Sequence, residues 1–258
     1  HTIGVFQPEQ YAVITELMAV VAVVNVVFMF GMETTFFRFS TTEGADKKKI
    51  FNIAQTVVLL ISVPASIIFI LCSSSIASFY GVASHPEFIT YLTLVMLIDA
   101  MVAIPFARLR LENKAIKFAA LKIVNVVIMV GLNLYFLYVV YDPGINVGYV
   151  FIANLAANAF YLLFFAKDLF SWRPALDKAM TPVMFQYAFP IMITGIAGMF
   201  NEMFSRTSLD RWLPEGFYSN MTSKAAVGVF GSCYKLAVFM NLGIQAFRYA
   251  AEPFFFSN

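Results

Sequence analysis

The chain has 258 residues, of which 60% are hydrophobic and only 12% charged, with a mean hydropathy of +0.78; a surface of that composition does not dissolve in water, so the chain is a membrane protein. A formal net charge of +2 excludes a nucleic-acid footprint, and the charges present are clustered between apolar runs rather than spread over one face. The two cysteines (Cys72, Cys233) and two histidines (His1, His85) show no metal-ligand spacing, so the residues call for no metal and no cofactor.

A bilayer crossing takes roughly 20 mainly apolar residues, and the chain holds seven such runs. The first, 11–31, is followed by Arg38, Lys47, Lys48 and Lys49. The second, 51–71 or 51–79, leads into 80–87, which contains no Lys or Arg. After the third, 88–107, come Arg108, Arg110, Lys114 and Lys117; after the fourth, 118–141, the connection 142–147 is again without Lys or Arg. The fifth, 148–166, opens the longest interior loop, 167–187, with Lys167, Arg173 and Lys178. The sixth and seventh, 188–205 and 226–250, are separated by a stretch with Arg206, Arg211 and Lys224 and the sequon Asn220-Met221-Thr222, which reads as chance. Loops rich in Lys and Arg remain cytoplasmic, which places the connections after the first, third and fifth spans inside and the alternate ones outside. The opening HTIGVFQPEQ then lies outside without a signal sequence. The expected architecture is therefore an all-α transmembrane bundle, a fragment of a larger polytopic protein lacking a span upstream and cut short downstream.

Polar residues inside the runs fall into stripes when plotted at 100° per residue. Lys122, Asn125 and Asn133 share a face of the fourth span, and Asn154, Asn158 and Tyr161 share one of the fifth. In the sixth, Glu202 and Arg206 stand at i and i+4 with Asn201 and Ser205 beside them; in the last, Tyr234, Asn241, Gln245, Arg248 and Glu252 are spaced 7, 4, 3 and 4. Single asparagines read as interhelical glue. Charges are different, because one near the bilayer centre costs about 2.5–3.5 kcal/mol on insertion scales. At 1.5 Å rise per residue, Lys235 and Asp99 fall near mid-bilayer, while Lys122, Arg248, Glu33 and Glu252 lie toward the cytoplasmic end, where snorkelling can serve Lys122 and Arg248. These stripes must converge on each other or on a water-filled cavity. Pro64, Pro105, Pro190 and Pro253 sit in or at the ends of spans, where neighbours or a cavity satisfy the freed backbone groups. Gly195 with Gly198 and Gly228 with Gly231 permit close helix approach.

The first and last spans echo each other: each carries a central Asn (Asn25, Asn241) and finishes with Glu, Phe-Phe and Ser, around Glu33 and Glu252. Such an echo is what an internal repeat leaves, with a second repeat opening at the sixth span. The stretches VFQPEQYAVITEL, GMETTFFRFS, PFARLRLENKAIKFAALKIVNVVIMVGLNL and AFRYAAEPFFF resemble the bacterial polysaccharide (lipid-linked oligosaccharide) flippases of the multidrug/oligosaccharidyl-lipid/polysaccharide exporter superfamily, in order and over nearly the whole chain. The resemblance implies two lobes of six helices around a central cavity, sometimes with two further helices. The seven spans would be numbers two to eight: residues 1–187 the remainder of an N-terminal lobe, 188–258 the first two helices of a C-terminal lobe. It implies a multi-pass protein of the bacterial cytoplasmic membrane that moves an oligosaccharide on a polyprenyl diphosphate to the outer leaflet by alternating access, for polysaccharide and O-antigen biosynthesis. Its partners would be that lipid-linked oligosaccharide, membrane lipids and polysaccharide polymerases. Because cavities of that family are cationic, the resemblance points by position to Arg248 and then to Arg38.

A diphosphate crossing a low-dielectric region needs cations, and Arg suits it through its fork while Lys acts as a point charge. Arg248, Lys235, Lys122 and Arg206, with Arg38, are the candidate substrate-binding residues. Asp99, Glu202, Glu252 and Glu33 are the candidates for ion coupling or gating, carboxylates within spans being what proton relays use; Glu252 stands one turn from Arg248 and can hold it. A multidrug or cation exporter of the same superfamily is the nearest rival, but its site should be dominated by carboxylates and aromatics. A membrane enzyme is another; the 167–187 loop has only Asp168 and Asp177 as acids and no Asp-x-Asp pair. A purely structural protein leaves a mid-bilayer Lys235 without a reason.

Overall fold

The computed structural model describes residues 8–140, 147–212, 240, 243–248 and 251. Among them the secondary structure is entirely helical: α1 (Pro8–Met29), α2 (Met32–Ser40), α3 (Lys47–Leu71), α4 (Ser73–Phe79), α5 (Glu87–Leu111), α6 (Ala115–Tyr138), α7 (Gly148–Ser171) and α8 (Met180–Trp212). Six segments of the described chain are long and apolar enough to cross a membrane, Leu17–Ser40, Lys47–Leu71, Glu87–Leu111, Ala115–Tyr138, Gly148–Ser171 and Met180–Asn201. They coincide with the first six expected runs. The seventh, 226–250, lies largely outside the described residues, of which 240 and 243–248 are helical. The chain divides into two compact units, His1–Met192 and Ile193–Asn258.

α5 is the axis of the first unit. It packs against α1, α2, α3, α4, α6 and α7, and 61% of its most apolar window is buried against 6% for α6, so α6 lies at the periphery. A helix that is apolar all round suits such a central place. In lipid, burying Leu or Phe brings little hydrophobic gain, so what holds these helices is close packing and interhelical hydrogen bonds. One packed cluster joins α1, α4, α5 and α7 through Leu17, Ala77, Phe88, Leu92 and Phe151; another joins α5, α6 and α7 through Val102, Phe106, Leu121, Tyr161 and Phe165.

The first span differs from expectation. GMETTFFRFS continues as helix α2 after a sharp break at Phe30 (φ 49°) and Gly31 (φ 65°), both left-handed. The Phe30 ring, buried and packed on Phe185 at 4.4 Å between centroids, holds a conformation that a bulky residue rarely adopts. At Gly31 a Cβ would stand 2.7 Å from the Ala188 carbonyl oxygen of α8, so glycine answers both the backbone angle and the close approach. The second span, too, ends at Leu71: Cys72 separates α3 from the short α4.

The expected loop 167–187 shrinks to a strap, residues 172–179, because both flanking helices run further than their apolar runs. Asp177 starts α8, its Oδ1 accepting from the backbone N–H groups of Ala179 (2.9 Å) and Met180 (2.8 Å). The strap lies on α3. Trp172 Nε1 donates to the Asn52 carbonyl and to Thr56 Oγ1, both at 3.3 Å, Ala175 N–H donates to Thr56 Oγ1 at 3.1 Å, and Lys49 Nζ meets Asp177 Oδ2 at 2.6 Å.

Candidate functional site

α5 carries Asp99, Phe106 and Arg110 at spacings of 7 and 4, hence on one face. Asp99 sits midway along the 25-residue helix, about 18 Å from either end at 1.5 Å per residue. α6 contributes Phe118, Lys122 and Asn125, and α7 contributes Asn154, Asn158, Tyr161 and Phe165. Four elements, with α2, thereby meet in one charged and aromatic cluster.

Phe106 is its hub. Its ring meets those of Phe165 (4.7 Å between centroids), Tyr161 (4.9 Å) and Phe118 (5.6 Å), all edge to face, the arrangement that aligns ring edges with ring faces of opposite partial charge. The Lys122 ammonium stands over two of these rings, 4.5 Å from the Phe106 centroid and 5.1 Å from that of Tyr161. The residue itself is exposed on α6, so the two rings cover its ammonium from the side of the bundle only. Asp99 attracts it across the cluster, and Arg110 repels it.

Arg110 lies one layer nearer the basic end. It is almost wholly buried, forms an ion pair with Glu33 in the first turn of α2, and stacks over Phe37 at 4.8 Å and Phe118 at 5.6 Å. On the other side of Lys122, Asn125 Nδ2 donates to Asn158 Oδ1 at 3.1 Å, and Asn158 Nδ2 to Asn154 Oδ1 at 3.4 Å. The polar stripes of the fourth and fifth spans thus face each other, apart from Asn133, whose Nδ2 returns to the Met129 carbonyl of its own helix.

The structure therefore brings together Lys122, Asp99 and Tyr161, and sets Glu33 against Arg110. Arg38 stands elsewhere, exposed in the last turn of α2, beside a shallow recess formed with Thr42, Gln186 and Tyr187. Arg248 is exposed in the helical segment 243–248 of the second unit. Glu202 and Arg206 are on α8, with the backbone alone described, and Lys235 and Glu252 lie outside the described residues. Arg110 was not among the expected site residues, since in sequence it counts as one more positive charge of an inside loop. The signal that finds it is its i+4 register with Phe106 and i+11 register with Asp99, which continues α5 and its inward face beyond the expected end at 107.

The arrangement presents cations held by aromatic faces and carboxylates within a helical bundle of membrane-crossing length. Among the described residues no group of three or more His, Cys, Asp or Glu could hold a metal ion. Comparison with known proteins finds no match among curated proteins or solved structures. Residues 5–242 match the family model described as "Polysaccharide biosynthesis protein". With a match over most of its length, and six segments among the described residues long and apolar enough to cross a membrane, the chain belongs to the polysaccharide biosynthesis protein family.

Proposed function

We propose that this chain is part of a transporter, not an enzyme: a flippase that carries a polyprenyl-diphosphate-linked oligosaccharide from the cytoplasmic to the outer leaflet of the bacterial inner membrane by alternating access. The observation that carries the reading is Lys122, an exposed cation of α6 that stands over the ring faces of Phe106 and Tyr161 where α5, α6 and α7 meet. A diphosphate entering this region would find a positive charge in a low-dielectric setting, where it attracts anions far more strongly than in water. Arg110 adds a fork-shaped donor that Glu33 can release, and Arg38, Arg206, Lys235 and Arg248 are further substrate-binding candidates on the strength of the sequence alone. Asp99 and Glu202, with Glu33 and Glu252, supply ion coupling and gating.

The rival exporter of organic cations fits this cluster less well. Its substrate would need the faces of Phe106 and Tyr161, and the protein's own Lys122 already covers them.

The test is a flipping assay with the intact protein in liposomes and a labelled polyprenyl-diphosphate oligosaccharide. Wild type should move the lipid, and Lys122→Met and Arg248→Ala should each slow it by about tenfold or more, the worth of one charge-assisted hydrogen bond, while still inserting into the membrane. Undiminished flipping by both variants sinks the cationic-path reading; export of organic cations in place of the lipid hands the cluster to the rival.

A further inference from the structure

Where α2, α5 and α7 end and α3 begins, the basic end of the first unit contains a cavity of about 480 Å³ lined by Lys47, Lys48, Arg108, Glu112, Phe36 and Phe51 among others. Three cations against one carboxylate leave it a surplus of two positive charges. Arg108 is fixed in place: Nε donates to Glu112 Oε1 at 2.7 Å, Nη1 to Asp168 Oδ1 at 3.1 Å, and its guanidinium stacks over Phe51 at 5.5 Å. Glu112 in turn is held by Lys114 at 2.5 Å. Lys47 and Lys48 differ from these: both are exposed in the first turn of α3, and neither pairs with a carboxylate among the described residues. Their charge is not needed to start α3, whose first N–H groups are already capped by Asp46 Oδ1 at 3.0 Å.

A recess with two uncommitted ammonium groups, lined also by Phe36 and Phe51, suits a ligand that is anionic at one end and apolar at the other. Its depth matters as well, because the ends of membrane-crossing helices lie at the level of lipid headgroups. We propose that this cavity binds the phosphodiester headgroup of an anionic phospholipid of the cytoplasmic leaflet. Lys47 and Lys48 grip the phosphate as point charges, and Arg108, stacked over Phe51, supplies a fixed positive wall. The site is separate from the Lys122 cluster and does not depend on which substrate the protein moves.

Native mass spectrometry of the detergent-solubilised intact protein tests this, using phosphatidylglycerol, phosphatidylcholine and a polyprenyl diphosphate as probes. Wild type should retain phosphatidylglycerol over phosphatidylcholine. K47Q/K48Q should lose that preference by on the order of tenfold or more, given the attraction that each basic residue has for an anionic leaflet. K47R/K48R should keep it, and polyprenyl diphosphate retention should be the same in all three proteins. Equal phosphatidylglycerol retention by wild type and K47Q/K48Q overturns the proposal. Loss of polyprenyl diphosphate with phosphatidylglycerol retained overturns it too, and gives the cavity to the carrier lipid.

Discussion

Arg110 of α5 and Glu33 of α2 form an ion pair in which the arginine side chain is 4% exposed and the glutamate 32%. The pair ties the short helix after the Gly31 break to the central helix of the bundle. Removing one member leaves the other charge buried: breaking a buried pair costs about 3–5 kcal/mol, and the partial exposure of Glu33 favours the lower figure. Glu33→Gln should therefore lower the unfolding temperature of the solubilised protein clearly, whereas E33L/R110M, which removes both charges, should sit nearer wild type. If the double variant melts well below the single one, the pair is not the source of the effect.

Phe106 touches three rings and supports Lys122. Phe106→Ala opens a cavity at that junction and should destabilise through lost packing, by less than the roughly 3–5 kcal/mol that such a change costs in a water-soluble core, read as a loss of folded protein on denaturant titration in detergent. Phe106→Leu, which refills most of the volume, should cost much less yet still weaken the hold on Lys122. Equal stability of the alanine and leucine variants would mean that the hub has relaxed around the gap.

Gly31→Ala meets two obstacles. The left-handed backbone costs an L-residue roughly 1–2 kcal/mol, and the new methyl would lie 2.7 Å from the Ala188 carbonyl oxygen, an atom of backbone that cannot simply rotate away. We expect a large fall in expression of folded protein, visible in size-exclusion profiles. Gly44→Ala is the control: its φ of +74° carries the same backbone strain, but no atom lies within 4 Å, so the fall there should be small.

Asp177 lies outside the spans, and the hydrogen bond from Lys49, then those from the N–H groups of Met180 and Ala179, pull its carboxyl down to a pKa of about 2. A carboxyl depressed in the folded state supports folding above its unfolded pKa of roughly 3.9 and loses that support as pH falls through the folded value. The strap should thus stay docked at pH 5 and loosen between about pH 4 and pH 2. In a W212F background, Trp172 emission reports it: a red shift across that window is expected in wild type, and D177N should already be shifted at pH 5. An emission indifferent to both would break the link between Asp177 and strap docking.

The sequence disclosed the spans because crossing a bilayer demands apolar length, a signal carried by about 20 residues at once. It disclosed the facing stripes of α6 and α7 for a related reason, since Asn125, Asn158 and Lys122 have few places to go except toward each other. What it hid were local breaks and long-range pairings. Nothing in METTFFRFS betrays that Gly31 stands against α8 and lets a new helix start, and the start of α8 at Met180 depends on Asp177, whose capping role shows only once the backbone turns. Arg110 was hidden by a rule that is otherwise sound: positive charges near span ends mark a side of the membrane, yet this one points inward because Glu33, 77 positions away in the chain, waits there.

The contact at Gly31 has a mechanical meaning. With no side chain to act as a cushion, the α1–α2 elbow bears directly on the backbone of α8 at Ala188 and on Ile191, and Glu33 lies two residues beyond the elbow. Any tilt of that part of α8 would therefore press on the elbow without a side chain to absorb it. Phe30 on Phe185 and Gly31 on Ala188 thus seat the elbow against α8 two residues before the carboxylate that pairs with Arg110.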